Sequence, residues 1–202
     1  MTHYYTDNSE LPSKRKEIDY YFDNERFIFT TDNGVFSKEA VDYGTYLLIK
    51  NTYKRKLGSH ILDLGCGYGP VGIIIKRFNE DAAVDLVDVN PRAVELAELN
   101  SFNNKTKVNV HLCANIKTLC TLFDSIILNP PVRAGKVVIY DLYQKAFECL
   151  SDGGSLYIVI QKKHGAQSHM NELRTIFKTV EVLDRSGGYW VIQAAKQFSL
   201  QK

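Results

Sequence analysis

Membrane-spanning length is the first thing missing from these 202 residues. No apolar run approaches the ~18 residues that a transmembrane helix needs. Apolar runs are short: Val71 to Ile75 is interrupted by Gly72, and Leu156 to Ile160 has only five residues. The opening MTHYYTDNSELPSKRKE is polar, which excludes the apolar core of a secretory signal. Cysteine is scarce: Cys66, Cys113, Cys120 and Cys149 make no C-x-x-C pair and no metal-ligand spacing. Reduced thiols in a cytoplasmic protein without a metal site are the expectation. Net charge is nearly absent as well, 25 Lys+Arg against 23 Asp+Glu leaving +2. That excludes a strongly cationic coat for nucleic acid, though not a local patch. What is present is an ordinary globular composition, 45% hydrophobic and 24% charged, at odds with disorder or a collagen repeat. The length predicts one domain with a sizeable core.

The first 35 residues read differently from the rest. Ile18 to Phe22 and Arg26 to Thr31, separated by Asp23 and Asn24, predict a β-hairpin, and Asp32-Asn33-Gly34 a following turn. Residues 1–35 are therefore expected to form a hairpin extension packed on a domain of residues 36–202. Val41 to Tyr53 predicts a helix. From His60 the chain alternates: strands at 61–64, 83–87, 107–113, 123–128 and 156–160, and helices at 71–78, 91–100, 139–150 and 170–177. Gly153-Gly154 is expected to end the third of these helices. Val180 to Leu183 and Tyr189 to Ala195, around Ser186-Gly187-Gly188, predict a C-terminal antiparallel hairpin. Continuous apolar strands between amphipathic helices indicate an α/β doubly wound, mostly parallel sheet.

Chemistry concentrates at the strand ends. The first strand of that series runs into Gly65-Cys66-Gly67-Tyr68-Gly69-Pro70-Val71-Gly72, where an open α/β sheet binds its ligands. From Gly67 the string also reads G-x-G-x-x-G, a weak dinucleotide signal that keeps a nicotinamide enzyme in view. A glycine turn that merely packs helix on strand, with Asp63 and Asp88 capping loops, is a further reading. Asp63 inside the strand, Asp88 ending the next one, and Asn129-Pro130-Pro131 after the fourth shift the balance. Together they resemble the S-adenosylmethionine-dependent methyltransferases, with their Rossmann-like fold. That resemblance implies glycines approaching the methionine part of S-adenosylmethionine and Asp63 ordering the loop or meeting the amino group. It further implies Asp88 on the ribose and Asn115 at the adenine amine.

Methylating an exocyclic amine needs the nitrogen lone pair aimed at an electrophilic methyl group. The Asn129 side-chain oxygen and the Pro130 carbonyl can accept the two amine protons, while Pro130 and Pro131 stiffen the turn. No covalent nucleophile is needed, and no cysteine adjoins a proline. Amine methyltransferases usually place an aromatic residue after this tripeptide; here Val132 stands there.

Longer signatures narrow the resemblance. GVFSK at 34–38, Asp42, Gly44-Thr45, DLGCGYGPVGI at 63–73, VDVN at 87–90, NPPVRAGK at 129–136 and QKKHGA at 161–166 occur in one order after His3-Tyr4-Tyr5. The chain is similar, from about Tyr4 to Ala195, to the 16S ribosomal RNA guanine-N2 methyltransferases, in a short single-domain branch. The resemblance implies cofactor contacts from Phe36, Asp63, Gly65, Cys66, Gly67, Gly69, Asp88, Val89, Asn115, Ile116 and Asn129. It implies catalysis by Asn129, Pro130 and Pro131. The partner is expected to be ribosomal RNA or the small subunit, met by Val132, Arg133, Lys136, Lys162, Lys163 and His164. The protein itself is expected as a monomer or homodimer. Longer members carry an N-terminal duplicate domain, which these 202 residues are not expected to include. Lys14-Arg15-Lys16 and Lys54-Arg55-Lys56 are read as solvated faces. Tyr4, Tyr5 and Trp190 are read as packing aromatics before base-stacking ones, and His111 and His169 as incidental. A methyltransferase for a protein amide or small molecule, and a non-catalytic ribosome-assembly module, are the rival functions.

Overall fold

The computed structural model describes residues 12–197, so Tyr4 and Tyr5 lie outside the described residues. A hairpin of β1 (Lys16–Phe22) and β2 (Glu25–Thr31) forms a sheet of its own. Asp23 and Asn24 make its turn with positive φ, as short polar side chains tolerate. The helix α1 (Tyr43–Thr52) follows, and then the alternating series. It runs β3 (His60–Leu64), α2 (Pro70–Phe78), β4 (Ala83–Asp88), α3 (Pro91–Asn103), β5 (Asn109–Leu112), β6 (Phe123–Leu128), α4 (Lys136–Cys149) and β7 (Leu150–Gln161). The chain continues through α5 (Ala166–Ile176), β8 (Thr179–Ser186) and β9 (Tyr189–Ala195).

The second sheet has the order β5-β4-β3-β6-β7-β9-β8, parallel from β5 to β7 and antiparallel at the terminal β8–β9 pair. This is the Rossmann-like methyltransferase architecture expected. Side chains alternate between the two faces, so each strand feeds two cores. Ile61 of β3 and Val159 of β7 join the core under α1, α2 and α3, whereas Leu62, Leu64 and Ile158 join the one under α4 and α5. The order reverses at β3, with β4 on one side and β6 on the other, which opens a crevice at their carboxyl ends.

The N-terminal hairpin is anchored by more than apolar contact. Phe27 and Phe29 are buried in the first core. The β2 edge that does not face β1 is paired by side chains instead of by a strand. Asn100 Oδ1 accepts from Thr30 N at 2.6 Å and its Nδ2 donates to Thr30 O at 2.9 Å; Asn104 does the same for Ile28 at 3.0 and 2.8 Å. Asn104 caps the C-terminus of α3 four residues after Asn100, so the two amides face one way. Asp32 closes the hairpin with bonds from Ser13 Oγ and the amides of Lys14 and Asn33. Burial raises its pKa, but those donors and the Arg92 charge outweigh it and hold the carboxyl below its usual range.

One expectation fails at the end of α4. Gly153-Gly154 do not terminate the helix, which stops at Cys149; both lie in an irregular start of β7. Pairing shifts there from Phe123↔Leu150 to Ser125↔Ser155, and a Cβ on Gly154 would stand 3.0 Å from the Asp124 carbonyl. The glycines serve a strand bulge, because backbone approaches backbone too closely for a side chain. The basic triplets are exposed and paired across the surface, Arg15 with Glu95, Lys16 with Glu39 and Lys54 with Asp23. Trp190 carries the Arg185 guanidinium 4.5 Å above its ring.

Asn100 also donates to Tyr68 O at 2.8 Å, tying the hairpin to the glycine turn. Asn100→Ala leaves a buried amide and two carbonyls without partners, each worth about 1–3 kcal/mol. Urea unfolding should therefore show a loss of about 3 kcal/mol or more; a loss below about 1 kcal/mol contradicts this anchoring.

Candidate active site

Between β3 and α2 the chain must turn sharply, and three hydrogen-bond sets dictate how. Gly65 N and Cys66 N both donate to Val87 O, at 2.8 and 3.0 Å. Gly67 N donates to Asp88 Oδ2 at 2.9 Å, while Asp88 Oδ1 takes Asn90 N at the same distance. Gly72 N donates to Asp63 Oδ2 at 2.8 Å. The last bond replaces a missing cap: the N-cap of α2 is Gly69, which has no side chain to satisfy the helix's free amides. Gly67 has φ +57° with open space where a Cβ would stand, so conformation and not crowding requires glycine there. At Gly72 the reason is crowding, since a Cβ would meet Leu86 Cδ1 at 2.5 Å.

Two carboxylates thereby stand close together near strand ends, Asp63 buried and Asp88 partly buried. Desolvation pushes Asp63 up to about 7, only partly offset by the Gly72 amide, and Asp88 adds like charge. Desolvation also raises Asp88, against the amides of Asn90 and Gly67. Among the described residues no Lys or Arg forms a salt bridge with either. A cationic group placed beside the pair would favour the ionised form of both, so the arrangement suits a positively charged ligand.

The other half of the site comes from β6, α1 and β9. After Leu128, Pro131 caps a single 3-10 turn over Val132–Ala134, so the tripeptide is held between a strand and a turn. Asn129 Nδ2 donates to Thr45 Oγ1 at 2.9 Å, and Thr45 Oγ1 in turn bonds Asp42 Oδ2. Asp42 is the N-cap of α1, accepting from Gly44 N and Thr45 N at 3.0 and 3.3 Å. Tyr189, at the start of β9, lies against Gly44.

Both halves line one cavity of about 460 Å³, a size that suits a small-molecule ligand. It brings together Phe36, Asp63, Gly65, Cys66, Gly67, Asp88, Val89, Ile116, Asn129, Pro130, Pro131, Val132, Arg133 and His164. Phe36, half-exposed, is a cavity wall and not a core residue. Five other expected residues do not line it. Gly69 turns toward Ile73, Leu86 and Ala97. Asn115 spends its side-chain oxygen on Lys117 N as the cap of a 3-10 turn. Lys136 lies beside Gly165, and Lys162 and Lys163 are exposed on the short turn before it. His169, buried against Tyr143 with Nδ1 2.9 Å from its hydroxyl, and His111, 2.7 Å from Asp85, also stand apart. Burial pushes His169 down to about 4, with the Lys136 and His164 charges adding to the effect.

A profile of the methyltransferase small domain family matches residues 26–193. The chain belongs to this family. It is 40% identical to uncharacterized protein YbxB of Bacillus subtilis, over 96% of this chain and 98% of that one. It is 32% identical to ribosomal RNA small subunit methyltransferase C of Photorhabdus laumondii, over 86% of this chain and 52% of the relative. A solved structure from T. thermophilus, the 16S rRNA N2 G1207 methyltransferase RsmC in complex with AdoMet and guanosine, superposes with TM-score 0.82 at 25% identity. That superposition covers 93% of this chain and 52% of the other. The chain thus spans about half the length of the ribosomal RNA methyltransferases it matches. Among the described residues, no helix of this small-domain methyltransferase is long and apolar enough to cross a membrane.

Asp42, Thr45, Gln161 and Tyr189 also line the cavity, with no role assigned from the sequence, although the first three stand within the signatures of the resemblance. Asp42 carries a local signal, an acidic residue directly before a helix. Tyr189 carries none, because only the antiparallel return of β9 beside β7 brings it to the crevice.

The raised carboxyl has a measurable consequence. Burial pushes Asp63 up to about 7 in the folded chain, against the ordinary aspartate value of 3.8 when unfolded. Between these values the folded chain keeps a proton that the unfolded chain has lost, so stability falls as pH rises through this window. Asp63→Asn retains an oxygen for Gly72 N–H and removes the ionisation. Its melting temperature relative to the parent should rise from about pH 4.5 to about pH 8. A difference that stays flat across that range contradicts the assignment.

Proposed function

We propose that this chain transfers a methyl group from S-adenosylmethionine to the exocyclic N2 amine of a guanine in 16S ribosomal RNA. The observation that carries the reading is the joining, in one cavity, of two desolvated carboxylates, Asp63 and Asp88, with a hydrogen-bonded Asn-Pro-Pro turn. When bound, S-adenosylmethionine supplies an electrophilic methyl group on a cationic sulfonium. The chain's residues fit such a ligand: a positive charge offsets the burial that raises Asp63 and Asp88. Gly65 and Gly67 leave open space for close backbone approach. Asp88 would hold ribose hydroxyls, and Phe36, Val89 and Ile116 offer apolar walls.

On the acceptor side, Asn129 Oδ1 and the Pro130 carbonyl would each accept one proton of the amine. This directs the nitrogen lone pair and stabilises positive charge developing on nitrogen, without a covalent intermediate. Val132 brings no ring to the base, but the aromatic face of Tyr189 reaches the same cavity from β9. Arg133 and His164 at the cavity and Lys136, Lys162 and Lys163 near it would meet phosphates while the guanine is turned out of its stack. The similarity to methyltransferase C and the RsmC likeness at 25% identity support guanine in RNA as the acceptor.

Labelled S-adenosylmethionine incubated with undermethylated small subunits, free 16S RNA and protein extract tests the reading. Label should appear as N2-methylguanosine in RNA; label confined to protein or small molecules would overturn the substrate. Asn129→Ala should lower transfer about 100-fold or more. Calorimetry should show its S-adenosylmethionine affinity essentially intact, and full activity in this variant would contradict the role of Asn129.

A further inference from the structure

We infer that Asp42 and Thr45 are positioning residues that select one of the two orientations of the Asn129 amide, with its oxygen turned to the acceptor amine. The inference rests on the function proposed above for Asn129. A primary amide has two ends of similar shape and opposite hydrogen-bonding sense: the oxygen accepts, the nitrogen donates. Only the oxygen end can take a proton from an exocyclic amine. With the ends exchanged, an N–H would face an N–H, and the lone pair would not be directed.

The polarity is imposed from α1. Asp42 is fixed at the helix N-terminus by the amides of Gly44 and Thr45, both bonded to Oδ1, which leaves Oδ2 to the Thr45 hydroxyl. A carboxylate only accepts, so the single hydroxyl proton of Thr45 goes to Asp42. What remains on Thr45 Oγ1 is lone pairs, and the group 2.9 Å away on Asn129 must therefore be the donor, Nδ2. The oxygen is left as the other end of the amide. Thr45 is only 4% exposed, so water does not readily substitute for either bond. Asn129 is 84 residues from Thr45 in sequence, yet all three residues line the cavity. They form a directed chain from a helix cap to the reacting centre.

Two variants read this direction. Thr45→Val keeps the shape and removes the relay. Asp42→Asn keeps the cap, since asparagine is as good an N-cap as aspartate, with its Oδ1 held by the same amides. Its Nδ2 then occupies the place of Oδ2 and donates to Thr45, so the Thr45 proton turns toward Asn129 and favours the reversed amide. At saturating S-adenosylmethionine with 16S RNA as acceptor, both variants should lower kcat by on the order of 10- to 100-fold. KM for RNA should stay within about threefold, and Thr45→Ser should restore kcat. In the ligand-free protein, the Asn129 side-chain amide pair, identified by its disappearance in Asn129→Ala, should shift and exchange faster in Thr45→Val and Asp42→Asn, but not in Thr45→Ser. Parental kcat in both variants, or an unmoved Asn129 amide signal, overturns the inference. If Asn129→Ala is inactive while both variants remain fully active, this inference fails and the function stands. If Asn129→Ala is fully active, the function assigned to Asn129 fails first.

Discussion

A single bond, from the Gly72 amide to the Asp63 carboxyl, connects the middle of the sheet to the first turn of α2. The helix needs an acceptor there because its N-cap is a glycine, and the turn needs that glycine to reach α2 at all. The price of this arrangement is a carboxyl buried beside a second one at Asp88, both held above their usual range by desolvation. Among the described residues neither has a salt bridge to a basic side chain, which is unfavourable for folding and favourable for binding a cation. Stability and function thus oppose each other at one residue.

The two halves of the cavity are built on different logics. The half formed by β3, α2 and β4 is local: the glycine turn and its carboxylates lie within residues 63–88, and their partners are mostly backbone. The acceptor half is assembled from α1, the end of β6 and the start of β9, three segments distant in sequence. Its accuracy depends on hydrogen bonds between side chains, which is where polarity can be specified and where a single proton can decide an orientation. A small domain has little surface to spend on recognition, so basic residues at the rim and one oriented amide carry much of the proposed selectivity.

Much of the fold was legible because apolar periodicity and turn chemistry report directly on element type. The hairpin with Asp23-Asn24, the β3–α2–β4 series and the terminal β8–β9 pair all stand where their patterns place them. Boundaries moved where capping decides them: α4 begins at Lys136 and α5 at Ala166, each following a glycine with positive φ. Gly153-Gly154 misled because glycine after a helical pattern has two meanings, a cap or a close backbone approach, and only the neighbouring strand distinguishes them. The Asn100 and Asn104 pairing of β2 had no readable signal, since two asparagines on a helix say nothing of an unpaired edge elsewhere.

Legible from residue order alone were the strand-end motifs: the glycine turn with Asp63, the terminal Asp88, and Asn129-Pro130-Pro131. Each depends on residues adjacent in the chain and on local conformational preference. Tertiary structure decided which of the expected residues share a cavity, placing Phe36 and Ile116 in it and leaving Asn115, Lys136 and Gly69 outside. It also decided that Thr45 and Asp42 face Asn129 and that an aromatic ring arrives from Tyr189 instead of from position 132. The physical reason is the same throughout. Contacts between separate elements depend on strand order and register, which follow from packing both faces of the whole sheet and from no single segment of it.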